Sequence, residues 1–174
     1  MKILIIALPR TGSTALGETL LKKHKLKKYL FEPFYFDSKE KYSSEDTNVV
    51  VKTLVYQIPK NIEEKNRLEW LINLTKEFDE TILLSRKDLK ACGESWSYLS
   101  YFNETKKFMY KDSYVWEPTP YDDLAYKQVV SFDKDLNYIS EKTNIPITYY
   151  EDIYDVNSNK RLRKGNKPTK LNLI

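Results

Sequence analysis

An unbroken apolar run, Ile3 to Leu8, feeds directly into the polar turn Pro9-Arg-Thr-Gly-Ser-Thr14, and helical periodicity starts at once behind it. So apolar a run suits a strand buried on both faces in a parallel sheet better than a half-exposed strand. Gly12 relaxes the turn. The first N–H groups of the next helix then point at whatever sits beyond the turn, and the helix dipole favours an anion there. The hydroxyls of Thr11, Ser13 and Thr14 and the guanidinium of Arg10 add donors to the same place. A Walker loop requires G-x-x-x-x-G-K-[ST], whose lysine reaches the terminal phosphates and whose hydroxyl holds magnesium. This turn has neither the first glycine nor the lysine, which disfavours an ordinary ATP or GTP hydrolase. The alternative is a strand-turn-helix with an incidental polar turn.

At 174 residues the chain has room for one domain with a sizeable core. We expect a single domain over 1–174. A hydrophobic content of 41% with 14% aromatics argues against disorder, despite 31% charged residues. The net charge of +4 is spread among carboxylates except in Lys22–Lys28 and Arg161–Lys170, so nucleic-acid binding is not demanded. A lone cysteine, Cys92, excludes an internal disulfide and a multi-cysteine zinc site. The apolar start is shorter than a signal-peptide core, and no segment approaches the length of a membrane span. The expectation is a soluble, cytoplasmic protein with no membrane partner.

Along the chain, strand and helix patterns alternate. Strands are expected near 2–8, 28–31, 48–52, 80–85 and 146–150, and helices near 12–25, 61–78, 88–101 and 121–143. The aromatic and lysine-rich passage from Asn103 to Pro120 reads as a long loop or lid. Such alternation implies a parallel sheet of about four to five strands with helices on both faces. On that frame Arg10, Glu32, Lys52, Arg86 and Glu151 all fall at carboxyl ends of strands, the edge where open α/β sheets bind ligands. Strands often end at charged residues for no functional reason. Taken together, however, these five suit an anionic nucleotide.

Four segments resemble the sulfotransferase family, in particular its carbohydrate and bacterial trehalose-type members. Pro9-Arg-Thr-Gly-Ser-Thr14 resembles the loop that holds the 5′-phosphosulfate. Tyr29-Leu-Phe-Glu-Pro-Phe34 is similar to the Phe-Glu-Pro segment after the first helix. Leu83-Leu-Ser-Arg-Lys-Asp88 with Ser95-Trp96 resembles the 3′-phosphate site, and Ile147-Thr-Tyr-Tyr-Glu-Asp-Ile153 resembles a late Tyr-Glu-Asp segment.

The resemblance implies a three-layer α/β, P-loop-like fold. It also implies transfer of a sulfuryl group from 3′-phosphoadenosine-5′-phosphosulfate to an acceptor hydroxyl, such as that of a carbohydrate, with no metal required. Pro9, Arg10, Thr11, Gly12, Ser13 and Thr14 would hold the 5′-phosphosulfate, while Arg86 and Ser95 grip the 3′-phosphate. Glu32 is the first candidate for general base, with an ion pair to Arg10 or Lys52 as its alternative role; Pro33 is expected to hold its backbone extended. Lys52 either aids the leaving group or caps its strand. His24 reads as a helix-end surface residue and Cys92 as a small helix residue. The aromatics of Phe108–Trp116 with Tyr121 either shape the acceptor site or pack over the core. The stretch Lys160–Asn166 is a solvated basic tail or a loose counterpart of the family's Arg-Lys-Gly segment. Two other functions remain open: a non-catalytic nucleotide- or sulfate-binding module of this fold, and an atypical P-loop phosphotransferase.

Overall fold

A computed structural model describes residues 1–105 and 119–154 of the chain. Five strands form one all-parallel sheet in the order β2-β3-β1-β4-β5: β1 Lys2–Ala7, β2 Lys28–Phe31, β3 Val49–Leu54, β4 Glu80–Ser85 and β5 Ile147–Tyr149. The expected buried strand is confirmed at β1, where Ile3 through Ala7 are fully buried between β3 and β4. A strand with neighbours on both edges and helices on both faces has no solvated side, which is why its sequence is continuously apolar.

The core divides cleanly by side-chain alternation. Ile3, Ile5, Ala7, Val50 and Leu84 pack against Leu16 and Leu20 of helix α1, Ser13–Lys23. Leu4, Ile6, Val49, Val51 and Leu83 face the opposite way. There they meet Leu71 and Leu74 of α2 (Arg67–Thr75), Cys92 of α3 (Leu89–Thr105), and Val129, Leu136 and Ile139 of α4 (Asp122–Thr143). The architecture is therefore three-layered, with helices on both faces as expected. No helix among the described residues is long and apolar enough to cross a membrane.

Several boundaries differ from expectation. Strand β3 continues through Lys52 to Leu54, so Lys52 lies within a strand and does not close one. Helix α2 is shorter than 61–78, starting at Arg67 after a 3₁₀ turn at Glu64–Asn66 and ending at Thr75. Helix α3 runs on to Thr105, so the first residues of the expected loop are helical. The rest of that loop, including Phe108–Trp116, and the tail Lys160–Asn166 lie outside the described residues. After β5 the chain turns into a four-residue helix, α5 (Tyr150–Ile153), where the pattern suggested strand to Tyr150.

β1 is central, and the chain leaves it towards β2 on one side of the sheet while it leaves β4 towards β5 on the other. The carboxyl ends of β1 and β4 thus border the crevice in which open α/β sheets bind ligands.

Candidate functional site

The polar turn after β1 is built as the sequence implied. Gly12 takes a left-handed conformation (φ 71°) as the N-cap of α1, and no side chain caps the helix. A side chain at Gly12 would suffer twice. The conformation is unfavourable for any residue with a Cβ, and that Cβ would lie 3.0 Å from the ring of Tyr154. The Tyr154 hydroxyl donates to the Gly12 carbonyl at 2.8 Å, so the far end of the described chain latches the turn. Nothing in the spacing of Tyr154 announced this. Its ring stacks on Tyr150 at 4.7 Å, and burial raises its hydroxyl pKa.

Within the turn, the residues divide their work. Thr11 is buried, and its hydroxyl donates to the Leu8 carbonyl at 2.8 Å; it closes the turn and does not reach outward. Ser13 is buried and Thr14 exposed, both in the first turn of α1. The Pro9 carbonyl accepts a contact from the Cys92 thiol at 2.9 Å, and burial pushes that thiol up to about 12. Cys92 is a packing residue with no thiolate at neutral pH.

Arg10 also occupies the left-handed region (φ 63°), a conformation that costs a residue with a Cβ about 1–2 kcal/mol. Its Nε donates to Ser95 Oγ at 2.9 Å across 85 residues of sequence. Arg10 and Ser95, read from separate motifs, thus meet in space. Arg86 lies just past β4, and its guanidinium sits 4.9 Å over the ring of Tyr150. Its Nε is buried 3.7 Å from Glu151 Oε1 and has no hydrogen-bond partner among the described residues. Glu151 instead accepts from the backbone N–H groups of Lys87 (2.9 Å) and Asp88 (3.3 Å), which fixes the chain immediately after Arg86. The charges of Arg86 and Arg10 favour the Cys92 thiolate, but burial outweighs them.

Glu32 is organised differently. The expectation of an extended backbone before Pro33 fails: Glu32 is left-handed, with φ 52°. The proline disfavours the right-handed helical region, while the ladder bond from Glu32 N–H to the Lys52 carbonyl, at 2.8 Å, anchors the residue. Its side chain is anchored twice more. Lys52 Nζ donates to Glu32 Oε1, and Gln57 Nε2 donates to Oε2 at 2.6 Å. Of the two ion pairs expected as alternatives, the one with Lys52 is present.

Lys52 shares with Val50 and Leu54 the sheet face covered by α1, and its side chain is 4% exposed. Its ammonium lies 4.4 Å over the ring of Phe31. Burial, opposed by Glu32 and reinforced by the charge of Arg10, holds Lys52 below the ordinary lysine range. Gln57, which sequence reading passed over, is buried and fully used: its Oε1 accepts from Leu54 N–H at 2.9 Å and Thr53 Oγ1 at 3.2 Å. A single glutamine between a strand and Pro59 carries no motif, so only the fold reveals that it steers Glu32. His24 forms the C-cap of α1, away from these residues in its element.

The carboxyl edge therefore gathers two sets. One is an N-terminal helix turn flanked by Arg10, Ser95 and Arg86, suited to holding an anion. The other is the Lys52–Glu32–Gln57 cluster. The charge of Arg10 adds to the burial that lowers the Lys52 pKa. Among the described residues no group of His, Cys, Asp and Glu is arranged to hold a metal ion. Comparison with family models, with curated proteins and with solved structures returns no match to this chain, so its reading rests on this geometry and on the resemblance of its motifs.

Proposed function

We propose that this chain is a sulfotransferase that moves a sulfuryl group from 3′-phosphoadenosine-5′-phosphosulfate to an acceptor hydroxyl. The observation that carries the reading is the 2.9 Å contact between Arg10 and Ser95, which joins the two segments whose resemblance assigns them to one donor nucleotide. The uncapped start of α1 supports it further, because its first N–H groups have no side-chain partner and suit an anion.

Sulfuryl transfer, like phosphoryl transfer, asks chiefly for in-line positioning and neutralisation of spreading charge. The acceptor oxygen forms its bond to sulfur as the bond from sulfur to the 5′-phosphate oxygen breaks, and the electron pair departs with that phosphate. Arg10 and the N–H groups at the start of α1 stabilise the leaving phosphate, each charge-assisted hydrogen bond contributing roughly 1.5–3 kcal/mol. Arg86 holds the 3′-phosphate with Ser95 beside it. Glu32 takes the acceptor proton. In this reading Lys52 serves the base more than the leaving group, since its Nζ is spent on Glu32.

A second reading, a non-catalytic module that binds the nucleotide, is favoured by one observation: both Glu32 oxygens already accept hydrogen bonds. Calorimetric titration with 3′-phosphoadenosine-5′-phosphate, without magnesium and with ATP as comparator, tests the donor site. Wild type should prefer the bisphosphate, and Arg86→Ala should bind it at least about a hundredfold more weakly, the loss of two charge-assisted bonds. Absence of binding at millimolar ligand overturns both readings. Binding without sulfuryl transfer to any of a panel of sugar, lipid and phenol acceptors leaves the binding module.

A further inference from the structure

The turn after β1 and the loop after β4 leave neighbouring strands side by side. Ala7 pairs with Leu84, and Leu8 N–H donates to the Leu84 carbonyl at 3.0 Å. Beyond that bond the two loops lead into different helices, α1 and α3. One short piece of chain, from Tyr149 through α5 to Tyr154, touches both. Its first four residues hold the loop after β4. The Lys87 ammonium lies 5.4 Å over the Tyr149 ring and the Arg86 guanidinium 4.9 Å over Tyr150. Glu151 accepts from the N–H groups of Lys87 and Asp88, and Asp152 accepts from Lys87 Nζ at 2.6 Å. Tyr154 then crosses to the other loop, where its hydroxyl donates to the Gly12 carbonyl at 2.8 Å.

This piece is stiff. Tyr150, Ile153 and Tyr154 are buried in the core on the α1 face, and the two tyrosine rings stack on each other. Close-packed rings transmit a displacement from one end to the other and do not absorb it. The carbonyl that Tyr154 grips also accepts the first bond of α1, from Leu16 N–H at 3.1 Å. Its position therefore sets where the first N–H groups of α1 point. On the opposite face of the sheet the Pro9 carbonyl is met by the Cys92 thiol, a weak donor, so the tyrosine is the firmer of these two braces.

We infer that Tyr149–Tyr154 is a strap that fixes the spacing of the two loops, and that Glu151 and Tyr154 are positioning residues on which preference for a nucleotide with two phosphates depends. The inference rests on the proposed donor site. Two phosphates on one nucleotide gain over two separate ones only when both loops stand at the ligand's own spacing, because the second contact then forms at high effective concentration. Displacing one loop leaves each able to hold its own phosphate and removes that gain. The strap thus acts on the ligand through the loops and touches neither phosphate itself.

Calorimetric titration of the full chain with 3′-phosphoadenosine-5′-phosphate, adenosine 5′-monophosphate and adenosine 3′-monophosphate tests this. Tyr154→Phe keeps the ring and cuts the strap from the turn. It should weaken the bisphosphate by up to about tenfold, the effect of one hydrogen bond, while both monophosphates stay within about twofold. Glu151→Gln loosens the other end. It also removes a carboxylate 3.7 Å from Arg86, which favours a 3′-phosphate in either ligand, so the readout is the ratio of bisphosphate to 3′-monophosphate affinity. That ratio should fall. Ile139→Val, a core change of similar stability cost on the other face of the sheet, should leave every ratio at its wild-type value. Equal weakening of all three ligands by Tyr154→Phe, an unchanged ratio in either strap variant, or an equal fall in Ile139→Val each overturns the strap and leaves the donor site standing. A wild type that holds the bisphosphate no better than the monophosphates overturns the donor reading and the strap with it.

Discussion

The turn after β1 and the Glu32 cluster sit on the same edge of the sheet but treat their polar groups in opposite ways. Around the turn, donors are less completely answered: α1 starts without a side-chain cap, and Arg86 Nε is buried with an ion pair to Glu151 at 3.7 Å but no hydrogen bond to any described residue. Around Glu32, every polar group answers another, from Lys52 through Glu32 to Gln57 and on to the backbone of Leu54. An open set of donors is costly unless something fills it, whereas a closed network stabilises itself. Under the proposed function, the first region binds the donor and the second is a rigid wall that presents one carboxylate.

Breaking the closed network should have the largest effect. Glu32→Gln strips the counter-charge from a lysine whose side chain is 4% exposed, and should cost about 2–3 kcal/mol in urea unfolding. Glu32→Gln/Lys52→Met, which removes both charges, should return to within about 1 kcal/mol of wild type. A double variant no more stable than the single would mean that the pair is not what holds this edge together. Next comes Gly12→Ala, which combines left-handed strain with a Cβ at 3.0 Å from Tyr154 and should lower stability by about 1–3 kcal/mol. Tyr154→Phe keeps the ring but loses the hydrogen bond to Gly12, so about 0.5–1.5 kcal/mol should go. A loss equal to that of Gly12→Ala would show that the hydroxyl, more than the backbone, holds the turn.

The smallest effect is a slope. Burial lowers the Lys52 pKa, so the folded protein binds fewer protons there than the unfolded chain does. Stability contributed by Lys52 should therefore rise with pH between its depressed value and the ordinary lysine value of about 10.4. Raised tyrosine and Cys92 pKa values push the other way in wild type and Lys52→Met alike. The readout is thus the difference between the two stability–pH curves above neutrality. A flat difference would show Lys52 to be as well solvated as in water.

Much of the frame was legible along the chain because buried parallel strands write themselves as continuous apolar runs. Lys28–Phe31 and Glu80–Ser85 begin and end where the pattern placed them. Lys52 misled for a physical reason: a charge ordinarily ends a buried strand, and here the partners that permit it, Glu32 and Gln57, come from either side of β3 in sequence. Glu32 misled for a related one, its left-handed backbone being held by the ladder bond to Lys52.

The sequence by itself determined the all-parallel core and the glycine turn at the head of α1, since periodicity and a left-handed glycine are local properties. Only the tertiary structure decided the contact of Arg10 with Ser95, the latch of Tyr154 on Gly12 and the closure of Lys52 and Gln57 on Glu32. Each joins residues from different elements, and distance along a chain carries no information about distance in space until strand order has been set.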